Sequence, residues 1–397
     1  MITAIINGKL VLPDRILADR NLLLEDGIII GIEESLPPET EQVIDAEGCF
    51  VSPGFIDLHT HGGGGFDFMD GTVEAIEGAC KMHLSHGTTS IVPTTLTCPD
   101  EELLHFFDVY RTAKKTMRCG PNLLGIHLEG PYFSLAQCGA QDPQYLKKPV
   151  RDQYMPILEA GGADIVRISA APELEGAMEL GRELEKRGIL AAIGHSDADY
   201  RTVEEAVKNG YQHVTHLYSG MSALHRVGPY RVLGVVESAY LLDELTVEII
   251  ADGKHLPPEL LRLIVKNKPM DSICLITDSM RGAGLADGQH AILGSLKNGQ
   301  DAVIEDGVAM MPDRKAFAGS VCTADRCVRT MVKLAGLPLA EAVRMMTLNP
   351  ARVMKLENSK GVLAPGMDAD ICIFDEDIRI KKVFVGGSLV CGAELKQ

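Results

Sequence analysis

Seven short apolar runs recur between residues 89 and 279: TSIVPTTL, NLLGIHLEG, DIVRISAAP, GILAAIGHS, YQHVTHLYS, TVEIIADGK and DSICLITDS. Amphipathic stretches such as LEGAMELGRELEKRG and DYRTVEEAVKNG separate them. Strand-like and helix-like segments that alternate in this way imply a parallel sheet with helices packed outside it. The texture begins near Pro53, and there are enough units for a closed (β/α)8 barrel. The two ends of the chain read differently. Before Pro53, IINGKLVL, NLLLEDGIIIGIEE and EQVIDAEGCFV combine β-branched runs with NG, DG and EG turn signals. After the helical LAEAVRMMTLNPARVMKL, strand-like texture returns in GVLAPGMDADICIFDEDIRIKKVFVGGSLV. The expected fold class is α/β: a (β/α)8 TIM-like barrel with a small β-sandwich built from both chain termini. The expected segments are 1–52 (first part of the sandwich), 53–352 (barrel) and 353–397 (second part). No repeat of solenoid period and no low-complexity linker interrupts this plan.

A chain of 397 residues, 46% apolar and 23% charged, has material for a barrel-sized core and no compositional sign of disorder. Its net charge of −17 argues against a nucleic-acid backbone or an anionic membrane as the main partner. A small anionic substrate stays compatible, because a phosphate responds to donors within a few ångströms more than to distant, screened carboxylates. The opening MITAIINGKLVLPDRILADRN lacks a charged segment followed by an apolar core, and no apolar run approaches the roughly 20 residues of a membrane helix. The ten cysteines form no CxxC pair, which favours reduced thiols over disulfides or a structural zinc site. A cytoplasmic location is expected.

Chemistry-bearing side chains cluster where the apolar runs stop. GFIDLHTHGGGG ends in His59 and His61, GIHLEGP in Glu129, AAIGHSD in His195, HVTHLYS in His216, IIADGKH in His255 and CLITDS in Asp278. In an α/β barrel, strand ends on that face converge although they are remote in sequence. His59 and His61, two residues apart on a strand, point to one side and can share an ion. Nitrogen and carboxylate donors together suit zinc or iron better than calcium or magnesium. Taken singly, each of these residues has an ordinary structural explanation; Asp278, for example, suits a helix N-cap. Gly62 to Gly65 read equally as a flexible turn or as a close backbone approach to a ligand. Jointly, so many metal-competent side chains at strand ends read as one metal site.

PGFIDLHTHGGGG, GIHLEGP, IGHSDADY, THLYSGM, ADGKH, LITDSM, FAGS and TLNPARVMKLENSKGVLAPGMDAD occur in this order. The series resembles the amidohydrolase superfamily and, within it, the N-acetylglucosamine-6-phosphate deacetylase family, over about Asn7 to Gly387. The resemblance implies a barrel beside a β-sandwich, and a divalent metal held by Glu129, His195 and His216. His59 and His61 favour a second ion with Glu129 bridging, so one or two ions of zinc or iron are expected. Asp278 matches the catalytic aspartate. The implied reaction is hydrolysis of N-acetylglucosamine 6-phosphate to glucosamine 6-phosphate and acetate. The alternative substrate is another N-acyl amino sugar: N-acetylgalactosamine 6-phosphate or an unphosphorylated sugar.

Substrate contacts implied by the resemblance are Ala140, Gln141, Ser219, Gly220, Arg226, His255, Phe317, Ala318, Gly319 and Ser320, with the rest of the segment Asp252 to His255 beside them. Arg226 matches an arginine that reaches across from a neighbouring subunit, so a homodimer or higher homo-oligomer is expected. Its planar fork suits a phosphate. Three substrate-side positions depart from the family pattern. Ser219-Gly220 stands where Asn-Ala is common, Val-Gly-Pro follows Arg226 in place of Glu-Pro-Gly, and Gln141 replaces a histidine that polarises the substrate carbonyl.

Overall fold

The computed structural model describes residues 1–392, and the chain is α/β. Its middle is built on parallel strands: β1 (Phe55–Thr60), β2 (Thr88–Pro93), β3 (Ile126–Glu129), β4 (Ile165–Ala170), β5 (Leu190–Ile193), β6 (Tyr211–Val214), β7 (Thr246–Ile250) and β8 (Ile273–Ile276). β1 pairs with β2, and β3 to β8 pair in consecutive order, all parallel. A single parallel bridge, Thr94 to His127, joins the end of β2 to β3. Past β8, the Asp278 N–H donates to the His59 carbonyl on β1 at 2.8 Å. Helices separate consecutive strands, from Val73–Ser85 between β1 and β2 to Pro258–Asn267 between β7 and β8.

The helix Ala177–Arg187 shows why these segments sit outside the strands. Ala177, Leu180, Gly181 and Leu184 are its buried positions, one stripe at helical spacing, and the charged residues lie elsewhere on it. A Cβ on Gly181 would stand 2.4 Å from the Asn209 carbonyl oxygen, so only glycine permits this approach. Gly188, in the left-handed region at φ 72°, ends the helix. Burying each leucine stabilises the fold by about 1.5–3 kcal/mol.

Both ends of the chain meet in one hydrogen-bonded sheet. Its order runs Ser388–Gly392, Ile380–Val385, Ile371–Phe374, Phe50–Pro53, Ile2–Val11, Ile16–Glu25, Ile28–Glu33, and Thr40–Asp45 also pairs with Ile2–Val11. Phe50–Pro53 runs antiparallel to Ile371–Phe374, and this pairing stitches the termini together. The sheet has a core of its own, including Ile5, Leu22, Val51, Ile371 and Phe384. Of the expected C-terminal segment, positions 393–397 lie outside the described residues.

Two local expectations change. The NG at Asn7-Gly8 is not a turn: Ile2–Val11 is continuous, Asn7 takes φ 54°, and the register shifts between Ile5 and Gly8 as in a bulge. The DG at Asp26-Gly27 does turn the chain, with φ 48° and 82°. Nor does Asp278 cap a helix, since the next one begins at Ala324. Between β8 and that helix lies a three-stranded antiparallel meander, His290–Leu293, Gln300–Glu305 and Val308–Met310, which the strand–helix reading did not anticipate. No described helix is long and apolar enough to cross a membrane.

Candidate metal centre and active-site cleft

The strand ends deliver the singled-out side chains to one place. His59 lies within β1 and Glu129 is the last residue of β3. His195, His216 and Asp278 each lie two residues beyond β5, β6 and β8, and all three take left-handed backbone conformations, φ 47°, 29° and 46°. Such conformations cost non-glycine residues about 1–3 kcal/mol each and gather at functional sites. Here they turn three polar side chains back over the strand ends.

Two groups of three ligand-type side chains, His59–His61–Glu129 and Glu129–His195–His216, share one carboxylate. Glu129 Oε1 lies 3.3 Å from His195 Nε2 and 3.1 Å from His216 Nε2, and those two nitrogens are 3.1 Å apart. On the other side, Glu129 Oε2 lies 3.3 Å from His61 Nε2, which is 3.3 Å from His59 Nε2. Ligands bound at about 2.0–2.1 Å around a tetrahedral zinc are separated by about 3.3 Å, and these spacings match such ligand–ligand edges. Imidazole nitrogens that face one another across 3.1 Å repel if both present lone pairs, and a cation between them removes the conflict. The ring Nδ1 atoms of His61 and His216 are buried without a partner among the described residues, so these two rings are held only through their Nε2 atoms, on the side of the shared carboxylate. The donor set fits a divalent transition metal.

Burial pushes the Glu129 carboxyl up, but His59, His195 and His216 outweigh it and hold the group well below the usual carboxylate range. The same contest leaves Asp278 lowered, through His59, His61 and His216. Asp278 Oδ1 lies 3.2 Å from His61 Nε2 and 3.4 Å from His59 Nε2, beside the first group.

Above these side chains opens a cleft of about 220 Å³. His61, Glu129, His195, His216 and Asp278 form its floor, with His59 fully buried beneath them. Ala140, Gln141, Ser219, Gly220, His255, Phe317 and Gly319 line its walls, together with Leu96, Leu293 and Ala316, which sequence reasoning missed. His255 is fixed by its Nδ1, 2.8 Å from Asp252 Oδ2, and its ring stands 4.5 Å from that of Phe317. Gln141 is already engaged: its Oε1 accepts the Thr97 N–H at 2.9 Å, and its Nε2 donates to Glu129 Oε2 at 2.8 Å.

Three expected substrate contacts are placed elsewhere. Ala318 packs into the small core under the meander. Ser320 is buried, its hydroxyl donating to the Thr277 carbonyl at 2.5 Å and its N–H to the Asp278 carbonyl at 2.8 Å, so it braces Asp278 from behind. Arg226 is exposed on the hairpin His225–Val227 and Tyr230–Val232, away from the walls of this chain's cleft. Gly62 to Gly65 form a tight turn: Gly62–Gly63 pairs with Phe66–Asp67, and a Cβ on Gly62 would meet the Phe66 carbonyl oxygen at 2.2 Å.

Beneath the ligands lies a layer of buried polar residues that the motifs did not single out. Glu248 and Arg167 are fully buried and paired at 2.5 Å. Burial pushes the Glu248 carboxyl up, and Arg167, His59 and His213 outweigh it and hold the group well below the usual range. Arg167 also donates to Thr215 Oγ1 at 2.9 Å, and Thr277 Oγ1 donates to Asp57 Oδ2 at 2.6 Å. The available signal was a charge inside an apolar run: Glu248 in TVEII and Arg167 in DIVRISAAP.

This chain belongs to the amidohydrolase family, whose profile matches residues 50–390. Within that family it is 34% identical over 396 residues to the N-acetylglucosamine-6-phosphate deacetylase of Homo sapiens, covering 96% of this chain and 95% of that one. It is 31% identical over 383 residues to the N-acetylgalactosamine-6-phosphate deacetylase of Escherichia coli O157:H7, covering 96% and 97%. The crystal structure of the N-acetylglucosamine-6-phosphate deacetylase from Pasteurella multocida superposes with a TM-score of 0.90 at 28% identity, covering 98% of this chain and 99% of that one.

Proposed function

We propose that this chain is a metal-dependent deacetylase that hydrolyses N-acetylglucosamine 6-phosphate to glucosamine 6-phosphate and acetate. The observation that carries the reading is a pair of ligand groups sharing Glu129, with Asp278 beside them at the floor of an open cleft. We assign two ions per chain, zinc or iron: one to His59, His61 and Glu129, the other to Glu129, His195 and His216. Bound divalent cations supply Lewis acidity, lowering the pKa of water from 15.7 toward about 7 and polarising a carbonyl. Asp278 accepts the proton as water attacks the acetyl carbon. It then returns the proton to the departing nitrogen, which otherwise leaves badly as an amide anion. His255 and Phe317 form the wall against which the sugar is held, since both line the cleft and their rings pack together.

We read the parallel strands as a closed eight-stranded barrel spanning 53–352, and the terminal sheet, from 1–52 and the described part of 353–397, as a sandwich beside it. An exposed guanidinium on a projecting hairpin, with Leu224, Val227 and Tyr230 exposed around it, suits a contact between copies. We therefore assign Arg226 to the phosphate in a neighbouring subunit's cleft, within a homodimer. We also propose a cytoplasmic location, since the cysteines form no CxxC pair and no framework spacing in the sequence. The deciding experiment is acetate release from phosphorylated and plain N-acetylglucosamine and from N-acetylgalactosamine 6-phosphate, with and without chelator. Activity should depend on metal, and kcat/KM should favour the phosphorylated glucosamine over the plain sugar by at least about a hundredfold, or about 2.7 kcal/mol. No acetate from any of the three overturns the assignment, and faster turnover of the galactosamine substrate replaces the sugar within it.

A further inference from the structure

Arg167 on β4 and Glu248 on β7 form an ion pair with no solvent exposure. Two charges are costly to desolvate, and an apolar pair of similar volume is often as stabilising or more so. The contacts of Glu248 show what the charge does here. Its Oε1 lies 2.7 Å from His59 Nδ1 and accepts the His216 N–H at 3.1 Å. Its Oε2 accepts from Arg167 Nη1 at 2.5 Å and lies 3.2 Å from His213 Nε2. One carboxylate thus touches a residue from each of the two ligand groups.

A carboxylate accepts hydrogen bonds and donates none, so His59 carries a proton on Nδ1, and Nε2 is the nitrogen left to face an ion. The other candidate ligand rings are held differently. His195 Nδ1 faces the Gln137 carbonyl at 2.8 Å, while the Nδ1 atoms of His61 and His216 have no partner among the described residues. Among these rings, only His59 meets a side-chain carboxylate through Nδ1 among the described residues.

We propose that Glu248, clamped by Arg167, is a positioning residue that presets the His59 imidazole with Nε2 presented to the ion shared with His61 and Glu129. The inference rests on the metal-dependent reading above.

The variant Glu248→Gln tests it, because an amide offers one acceptor and one donor where His59 and Arg167 both present donors. Zinc or cobalt titration against a chromophoric chelator reads each site apart from any activity. The His59–His61–Glu129 site should weaken about 10–100-fold, as removal of an outer-shell partner does, and the other site should stay within about threefold. In a His59→Ala background, Glu248→Gln should cost no further metal affinity, since its effect runs through that ring. Equal weakening of both sites, or a full additional loss on top of His59→Ala, assigns Glu248 a merely structural role and overturns the proposal. Should Glu248→Gln fail to fold, ¹⁵N NMR of the histidines in metal-loaded wild-type protein decides: a proton on His59 Nδ1 supports the proposal, and an unprotonated Nδ1 overturns it. Wild-type protein that binds no ion overturns the metal-dependent reading and this inference together. Two tightly held ions in Glu248→Gln overturn this inference alone.

Discussion

Replacing Asp278 by Asn isolates proton transfer from everything else this residue does. Its backbone N–H donates to the His59 carbonyl and its carbonyl accepts from the Ser320 N–H, both at 2.8 Å, and neither bond involves the side chain. Its φ of 46° lies in the left-handed region, which Asn tolerates as well as Asp does. Asp278→Ala would add about 1–2 kcal/mol of backbone strain and blur the result. Asp278 lies beside the first ligand group, and Asn should leave metal content and fold intact. What disappears is a carboxylate 3.2 Å from His61 Nε2 that can take and return a proton. Positioned general acid–base groups contribute about 10²–10⁴-fold, equivalent to about 2.7–5.5 kcal/mol of barrier. Steady-state acetate release should show kcat and kcat/KM falling together by that factor, with KM nearly unchanged. Turnover within about tenfold of wild type, with metal retained, would refute the role of Asp278.

Metal uptake should release protons. Burial pulls the His59 ring down, but Glu129, Asp278 and Glu248 outweigh it and raise it to about 10; for His61, Asp278 and Glu129 outweigh burial and raise it to about 9. Near neutral pH the metal-free protein therefore carries a proton on each ring, and filling the site should expel about two, measured by calorimetry in buffers of different ionisation enthalpy. No proton release refutes this. Because both values lie above the ordinary 6.5, their contribution to the metal-free fold is complete below that pH and disappears as pH rises through 9 to 10. Gln141→Leu should destabilise the protein by about 1–3 kcal/mol in urea denaturation, because the buried Thr97 N–H loses its acceptor and Glu129 a donor. Leu184→Ala, in the buried stripe of its helix, should cost about 2–5 kcal/mol while the folded fraction keeps its activity; a loss below about 1 kcal/mol would contradict the packing described.

Apolar runs made the parallel strands legible, because strands covered on both faces carry little polar sequence. The end of each run marked where His195, His216 and Asp278 would emerge. The meander at 290–310 went unread because HAILGSLKNGQDAVIEDGVAM sits inside an otherwise regular alternation. Asn7-Gly8 was read as a turn because local turn chemistry does not distinguish a hairpin from a bulge when neighbouring strands set the register. Gln141 was legible as a polar loop residue. Its bonds to Thr97 and Glu129 were not, since the loop's course depends on what it packs against.

Residue identities and their spacing were enough to place imidazoles and carboxylates at strand ends, to point to a divalent metal and to give the order in which strands and helices alternate. Those properties are local: an imidazole binds metal and a leucine stripe seeks a core wherever they lie in the chain. Which nitrogen of His59 meets a carboxylate depended on Arg167 and Glu248, 81 positions apart, meeting out of reach of solvent. The left-handed turns at His195, His216 and Asp278 belong to the same class. Each is unfavourable by itself and persists because the surrounding strands leave the chain no other course.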